Sequence, residues 1–307
     1  VTGGAGFIGS HIVDALLARG ERVRVLDNLA TGKRENLAHC LERIEFLEGD
    51  IRDLDTCHQA CAGIDYVLHQ AALGSVPRSI ADPLTTHEVN VTGMVKMLLA
   101  ARDAGVRRFV YAASSSTYGD HPGLPKVEER IGNPLSPYAV TKYADELYAR
   151  VFGRCYGVET VGLRYFNVFG PRQDPYSQYA AVIPLFVSAL LQGRAPLING
   201  DGEQTRDFTF VENAVTANLL ACGAPAEAVG EIVNVACGER TSLNHLYGRL
   251  QELLGTAIAP EYGPSRAGDV RDSLADIGKA QRLLGYRGAV KFDEGLRRSI
   301  DWYRKNL

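Results

Sequence analysis

Tyr138 and Lys142 stand four residues apart in "PLSPYAVTKY", directly after a Ser-Pro pair. Ser136 suits a helix cap and Pro137 the first helical position, so the two side chains fall on one helix face, one turn apart. A free phenol, with a pKa of about 10, is a poor base at neutral pH, but a neighbouring positive charge such as the Lys142 ammonium favours the phenolate. Such a pair can serve as a general base toward an alcohol. Upstream, "YAASSSTYG" sets Ser114, Ser115 and Ser116 at the C-terminal end of an expected strand, where open α/β sheets bind ligands. Hydride transfer from a secondary alcohol at this site would need, besides that base, a hydride acceptor over the same carbon.

The acceptor's site is legible near the start of the chain. "TGGAGFIGSH" places Gly3, Gly4, Gly6 and Gly9 between a strand and a helix, where the backbone can turn tightly and approach a pyrophosphate at the helix N-terminus. Asp27 follows 18 residues after Gly9, at the end of "VRVLD", in register to accept hydrogen bonds from a ribose diol. A carboxylate there repels a 2′-phosphate and favours NAD over NADP, although Lys33 and Arg34 lie near it in sequence. Asp50 in "EGDI" suits either the adenine amino group or a helix cap. Asn90 in "EVNVTG" suits either cofactor contact or a bracing role. His69 and His121 read as packing or loop residues.

The elements that must carry these residues alternate. Val1-Thr2, Arg22-Leu26, Ile44-Glu48, Tyr66-Gln70, Arg108-Ser114 and Glu159-Tyr165 read as strands; Phe7-Arg19, Leu54-Cys61, Val89-Ala104 and Pro137-Tyr156 read as helices. That βα repetition predicts an α/β fold, a doubly wound parallel sheet of the Rossmann kind. After Asn167 the text turns rich in Pro, Gly and Tyr, which suits a smaller α+β substrate lobe. The Glu231-Val235 run returns to the sheet, and Ser242-Leu254, Ile277-Leu284 and Asp293-Asn306 close the chain as helices. The expected division is residues 1–166 with 206–240 for NAD, and 167–205 with 241–307 for substrate. The opening "VTGGAG" reads as the last residues of a strand that begins before Val1.

Composition narrows the partners. With 33 basic and 36 acidic side chains among 307 residues, the net charge of -3 offers no broad surface for nucleic acid or anionic membrane. No apolar run approaches the roughly 18 residues of a membrane span, and a cytoplasmic address is expected. Six cysteines without a C-x-x-C pair read as reduced thiols, and no metal site is expected.

Together "TGGAGFIGS", "DNLATG", "GDIRD", "HQAA", "YAASSSTYG", "SPYAVTKY" and "LRYFNVFGPRQDP" resemble, in order, the extended short-chain dehydrogenase/reductase family. More narrowly, "HQAALGSVPRSIADP", "YGDHPGLPKVE", "AAVIP" and "AGDVRDSLADI" resemble its bacterial UDP-N-acetylglucosamine 4-epimerases. The resemblance implies Tyr138 as base, Lys142 on the nicotinamide ribose, Ser114 on the sugar O4 and Ser115 as a further substrate contact. It adds Phe7, Ile8, Asn28, Ile51, Gln70, Ala71 and Ala72 to the cofactor set, with Tyr165 beside the nicotinamide. On the substrate side it implies Asn167 at the diphosphate and Ala181 and Val182 near the uridine. Asn199 joins them from "LINGDGEQTRDF", Arg206 and Arg266 are the cations on the pyrophosphate, and Asp269 the carboxylate on the uridine ribose. It also implies a homodimer paired through the Tyr-Lys helix and the Val89-Ala104 segment.

The implied reaction is 4-epimerisation of a UDP-sugar through a transient 4-keto form, with NAD regenerated in each turnover. Related dehydratases and decarboxylases resemble each other in carrying acids after the Ser or Thr of the fifth-strand motif; here Ser115 and Ser116 stand there, and neither is an acid or base at neutral pH. A dinucleotide-binding protein without chemistry would have no need of Tyr138, Lys142 and Ser114. Gly74 and Ser75, with Ser273 at a gate beside the C2 substituent, imply room for an N-acetyl group, hence UDP-N-acetylglucosamine and UDP-N-acetylgalactosamine.

Overall fold

Thr2 is the seam of a single parallel sheet, bridging Leu26 on one side and His69 on the other. The computed structural model describes residues 1–175, 181–264 and 270–306. From edge to edge the strands run Ile44–Glu48, Val23–Asp27, Thr2, Tyr66–His69, Arg108–Ser114, Thr160–Tyr165 and Ile232–Val235, with every neighbouring pair parallel. The chain thus winds outward from Thr2 in both directions, and the reversal opens a crevice at the strands' carboxyl ends. The expected two-residue strand at Val1-Thr2 is narrower than a full strand, yet Gly3 N–H donates to Leu26 O at 2.8 Å and Thr2 N–H to Leu68 O at 3.1 Å.

The helices lie where their apolar spacing places them. The helix Pro137–Tyr156 starts at Ser136, whose hydroxyl accepts from Ala139 N–H at 3.2 Å, and ends at Gly157 in the left-handed conformation at φ 70°. Its buried face carries Ala139, Lys142, Asp145, Glu146, Ala149 and Phe152 against the sheet. The helix expected from Val89 is continuous with an earlier turn: Pro83–His87 runs into a π-helical stretch, Glu88–Thr92, before the regular helix Gly93–Asp103. π turns cluster at functional sites, and this one holds Asn90.

A helix the sequence reading left out, Val211–Cys222, packs on the sheet beside the helix Phe7–Ala18. It is buried on several sides, at Val211, Asn213, Ala214, Val215, Ala217, Asn218 and Ala221, so no polar stripe marks its period. A separate aromatic core is built from Phe169, Phe186, Phe208, Phe210, Tyr247, Phe292 and Tyr303, and so takes in residues on both sides of the expected boundary at 206. The helix Gly278–Leu284 belongs elsewhere: Ala280 and Leu284 share a core with Val233 and Val235, so the C-terminal segment divides between two cores.

One buried ion pair ties the Tyr-Lys helix to the sheet. Glu146 takes Arg164 Nε and Nη2, both at 2.7 Å, one residue before Tyr165. Removing either partner of such a pair leaves a buried charge, at a cost of roughly 3–5 kcal/mol. All six cysteines are free, and four of them are buried. Among the described residues no helix is long and apolar enough to cross a membrane.

Candidate active site

A cleft of about 620 Å³ opens at the carboxyl ends of the strands. Its floor is the glycine loop. Gly3 has φ +65°, and a Cβ on Gly9 would lie 2.1 Å from Gly3 O, so backbone packs on backbone with no room for a side chain. Gly6 occupies the N-cap of the helix Phe7–Ala18 with no side-chain cap, which leaves that helix's first N–H groups to a ligand. Gly3, Gly6, Phe7, Ile8 and Gly9 all line the cleft.

At one end stand the two acids. Asp27 Oδ2 accepts from Ala5 N–H at 2.9 Å and Oδ1 from Leu29 N–H at 2.8 Å, leaving a lone pair on each oxygen for a ribose hydroxyl. Burial pushes its carboxyl up, while those two N–H groups act against the shift. Asp50 is gripped by Arg52 through Nε at 3.0 Å and Nη2 at 2.8 Å, and by Asn28 Nδ2 at 2.8 Å. Arg52 above all holds the Asp50 carboxyl down at about 2. The helix cap nearby is Asp53, which accepts from Asp55 N–H, so Asp50 with Asn28 and Ile51 is left to wall the cleft.

At the other end the strand tips meet the Tyr-Lys helix. Ser114 and Tyr165 are cross-strand partners at adjoining strand ends. Ser114 Oγ accepts from Ser116 N–H at 3.2 Å and from Ser116 Oγ at 2.9 Å, so Ser116 turns inward and Ser115 faces the cleft with Ser114. Tyr138 lines the same wall half-buried, and Lys142 is buried one turn on, donating to Ala112 O at 3.0 Å and Asp145 Oδ2 at 3.2 Å. Gln70, Ala71, Ala72, Gly74 and Ser75 complete the rim, and Ser75 also caps the helix Val76–Ala81.

Tyr165 belongs to a closed ring of side chains. Its hydroxyl donates to Gln70 Oε1 at 3.0 Å, Gln70 Nε2 donates to Asn218 Oδ1 at 3.0 Å, and Asn218 Nδ2 donates to Tyr165 Oη at 2.6 Å. Asn218 comes from the unforeseen helix Val211–Cys222, and no sequence motif announced it.

A second cavity of about 260 Å³ adjoins the cleft through Asn167, Val168 and Gln173, which line both. Ala181, Val182, Asn199 and Arg206 line it. Leu185, Phe186, Leu197 and Leu243 add an apolar wall that spacing did not reveal. Arg206 Nη1 donates to Thr205 O at 2.8 Å and Arg271 O at 3.0 Å. Ser273 N–H donates to Thr205 O at 3.1 Å, and the residue lines neither cavity. Arg266 and Asp269 lie outside the described residues.

Asn90, which suits either cofactor contact or a bracing role, is engaged with the protein. Its Oδ1 accepts from Leu73 N–H at 2.7 Å, and its Nδ2 donates to Leu73 O at 3.3 Å and Thr141 Oγ1 at 3.0 Å, so the buried amide braces the loop behind the cleft. His69, with Thr2 Oγ1 at 2.8 Å from Nδ1, is neutral because burial and the Lys142 ammonium hold it down at about 3. Asp14, His39 and Cys40 bring donor atoms within 4.8 Å of one another, but Asp14 already bonds His39 at 2.7 Å and Arg172 at 2.8 Å.

The residues fit NAD. The glycine cradle, the uncapped helix N-terminus and the oriented Asp27 carboxylate form a pyrophosphate and ribose site, and Tyr138, Lys142 and Ser114 stand at the far end where an alcohol would react.

Comparison with known proteins points the same way. Residues 1–236 match the model of the NAD dependent epimerase/dehydratase family. The UDP-glucose 4-epimerase of Mycolicibacterium smegmatis is 41% identical, over 99% of this chain and 97% of its own. The structure of a UDP-N-acetylglucosamine 4-epimerase from Methanobrevibacter ruminantium, in complex with UDP-N-acetylmuramic acid, superposes with TM-score 0.93 at 40% identity, covering 100% of this chain and 97% of its own. A dTDP-glucose 4,6-dehydratase of Streptomyces venezuelae with NAD bound reaches TM-score 0.92 at 36% identity, over 99% and 96% of the two chains.

Proposed function

The chain belongs to the NAD dependent epimerase/dehydratase family, and from that membership we propose that it interconverts UDP-N-acetylglucosamine and UDP-N-acetylgalactosamine at C4. One observation carries the reading. Tyr138, Lys142 and Ser114 share a wall with the NAD cradle, in a cleft continuous with a second cavity that holds Arg206.

NAD, when bound in the glycine cradle, would supply the hydride acceptor at the sugar C4 and the donor for its return to the opposite face. Tyr138 takes the O4 proton and later gives it back. The Lys142 ammonium favours the phenolate form and donates toward the ribose, and the Ser114 hydroxyl orients O4. In the second lobe Arg206 offers a fork of donors to the diphosphate, and the apolar wall around Leu197 and Leu243 accepts the base. The 4-keto sugar turns about its bond to the diphosphate between the two transfers.

Elimination is disfavoured by the acids' position. Among the described residues that line the two cavities the only carboxylates are Asp27 and Asp50, both at the glycine-loop end. None stands beside Ser114 to remove a further proton. Ser273 lies outside both cavities with its N–H on Thr205 O, so the gate beside the C2 substituent rests on the sequence resemblance.

Purified protein, incubated with UDP-N-acetylglucosamine and no added cofactor, is expected to yield the galacto epimer by proton NMR without net NADH. Ser273→Tyr is expected to abolish that turnover while sparing UDP-glucose. Equal loss on both sugars defeats the gate assignment, and no conversion of either sugar by the unmutated protein defeats the epimerase reading.

The outer face of the Tyr-Lys helix exposes Val140, Leu147, Tyr148 and Val151, an apolar stripe that suits a second copy of the chain. Light scattering is expected to give a dimer, and Leu147→Glu with Val151→Glu a monomer. A monomeric unmutated protein sinks the homodimer.

A further inference from the structure

Lys142 does not stand alone beneath Tyr138. Three residues on, Asp145 pairs with it at 3.2 Å, with side chains only 4% and 2% exposed. The ammonium has three donors. Ala112 O and Asp145 Oδ2 take two, which leaves one directed by elimination toward the cleft that Lys142 lines. Asp145 Oδ1 is buried and has no partner. A carboxylate that only braced the fold would be expected to use both oxygens, as Glu146 does one residue later on Arg164.

We infer that Asp145 is a positioning residue of the active site, fixing Lys142 Nζ against Ala112 and, by gaining or losing its charge, setting how much of the ammonium's field reaches Tyr138. This inference rests on the Tyr-Lys chemistry proposed above. When Asp145 is ionised it offsets the ammonium; when protonated it leaves the full positive charge beside the phenol.

The groups facing the pair are few. Glu146 on the same helix is neutralised by Arg164 of the adjoining strand, Tyr111 lies on the strand of Ala112, and His69 on the strand beyond is neutral. Burial pushes the Asp145 carboxyl up to about 7, with Lys142 pulling the other way.

The test compares Asp145→Asn and Asp145→Ala with the unmutated holoenzyme. For Asp145→Asn the acid limb of kcat is expected to move to lower pH by roughly 0.5–1 unit and to follow one proton. The unmutated limb is expected to be broader, because the charge on Asp145 itself changes across it. Asp145→Ala is expected to lose retained NAD as Lys142 swings free, and Asp145→Asn to keep it.

A second readout needs no turnover. An acid whose folded pKa is raised binds more protons when folded, so its contribution to stability falls as pH rises from about 4 to about 7. Stability measured against Asp145→Asn is therefore expected to decline across that window. Superimposable kcat profiles with a constant stability offset overturn the inference. If no UDP-sugar is turned over, the epimerase reading falls and the stability readout alone decides on Asp145.

Discussion

In the Tyr138→Phe protein, epimerisation falls on the order of 10³-fold, the size of a lost general base, while NAD stays bound and the fold is kept. The expectation follows from position. Tyr138 sits in the first turn of a capped helix, half-buried on the wall it shares with Ser114. The ring remains in Phe, so packing is preserved and only the hydroxyl proposed to move the O4 proton is gone. Single-turnover NMR on the purified variant, with NAD content measured beside it, decides the matter. A rate within tenfold of the unmutated protein means that another group is the base.

Gly9→Ala is expected to empty the cofactor site. The added Cβ would meet Gly3 O at 2.1 Å and Gly3 C and Gly4 Cα at 2.8 Å, all backbone atoms that no rotamer change can move aside. Forced overpacking of this kind costs about 1–3 kcal/mol, and here the strain falls on the loop that cradles the pyrophosphate. Purified Gly9→Ala protein should carry little NAD by absorbance after denaturation and should unfold at lower denaturant. A variant with full NAD and an unchanged midpoint contradicts the cradle.

These two residues also mark how much could be read without coordinates. Gly9 and Tyr138 both lie in short motifs whose geometry is local: a strand-to-helix turn that admits only glycine, and a capped helix that puts i and i+4 on one face. Strand periods and helix caps are equally local, which is why the sheet elements and the Pro137–Tyr156 helix were legible to within a residue or so. Where burial is not one-sided, as in Val211–Cys222, the period vanishes and the helix was missed.

The sequence by itself determined the fold class and pointed to the glycine loop and the Tyr-Lys-Ser set as the candidate site, because each rests on spacing within one element or across one turn. Only the tertiary structure decided what crosses between elements. It spent Asn90 on Leu73 and Thr141, closed Asn218 onto Tyr165 and Gln70, and set Asp145 beneath Lys142 with one oxygen unpaired. A polar side chain has several partners in reach of chance, and which one it takes depends on the residues that packing brings near it and on the water that packing removes.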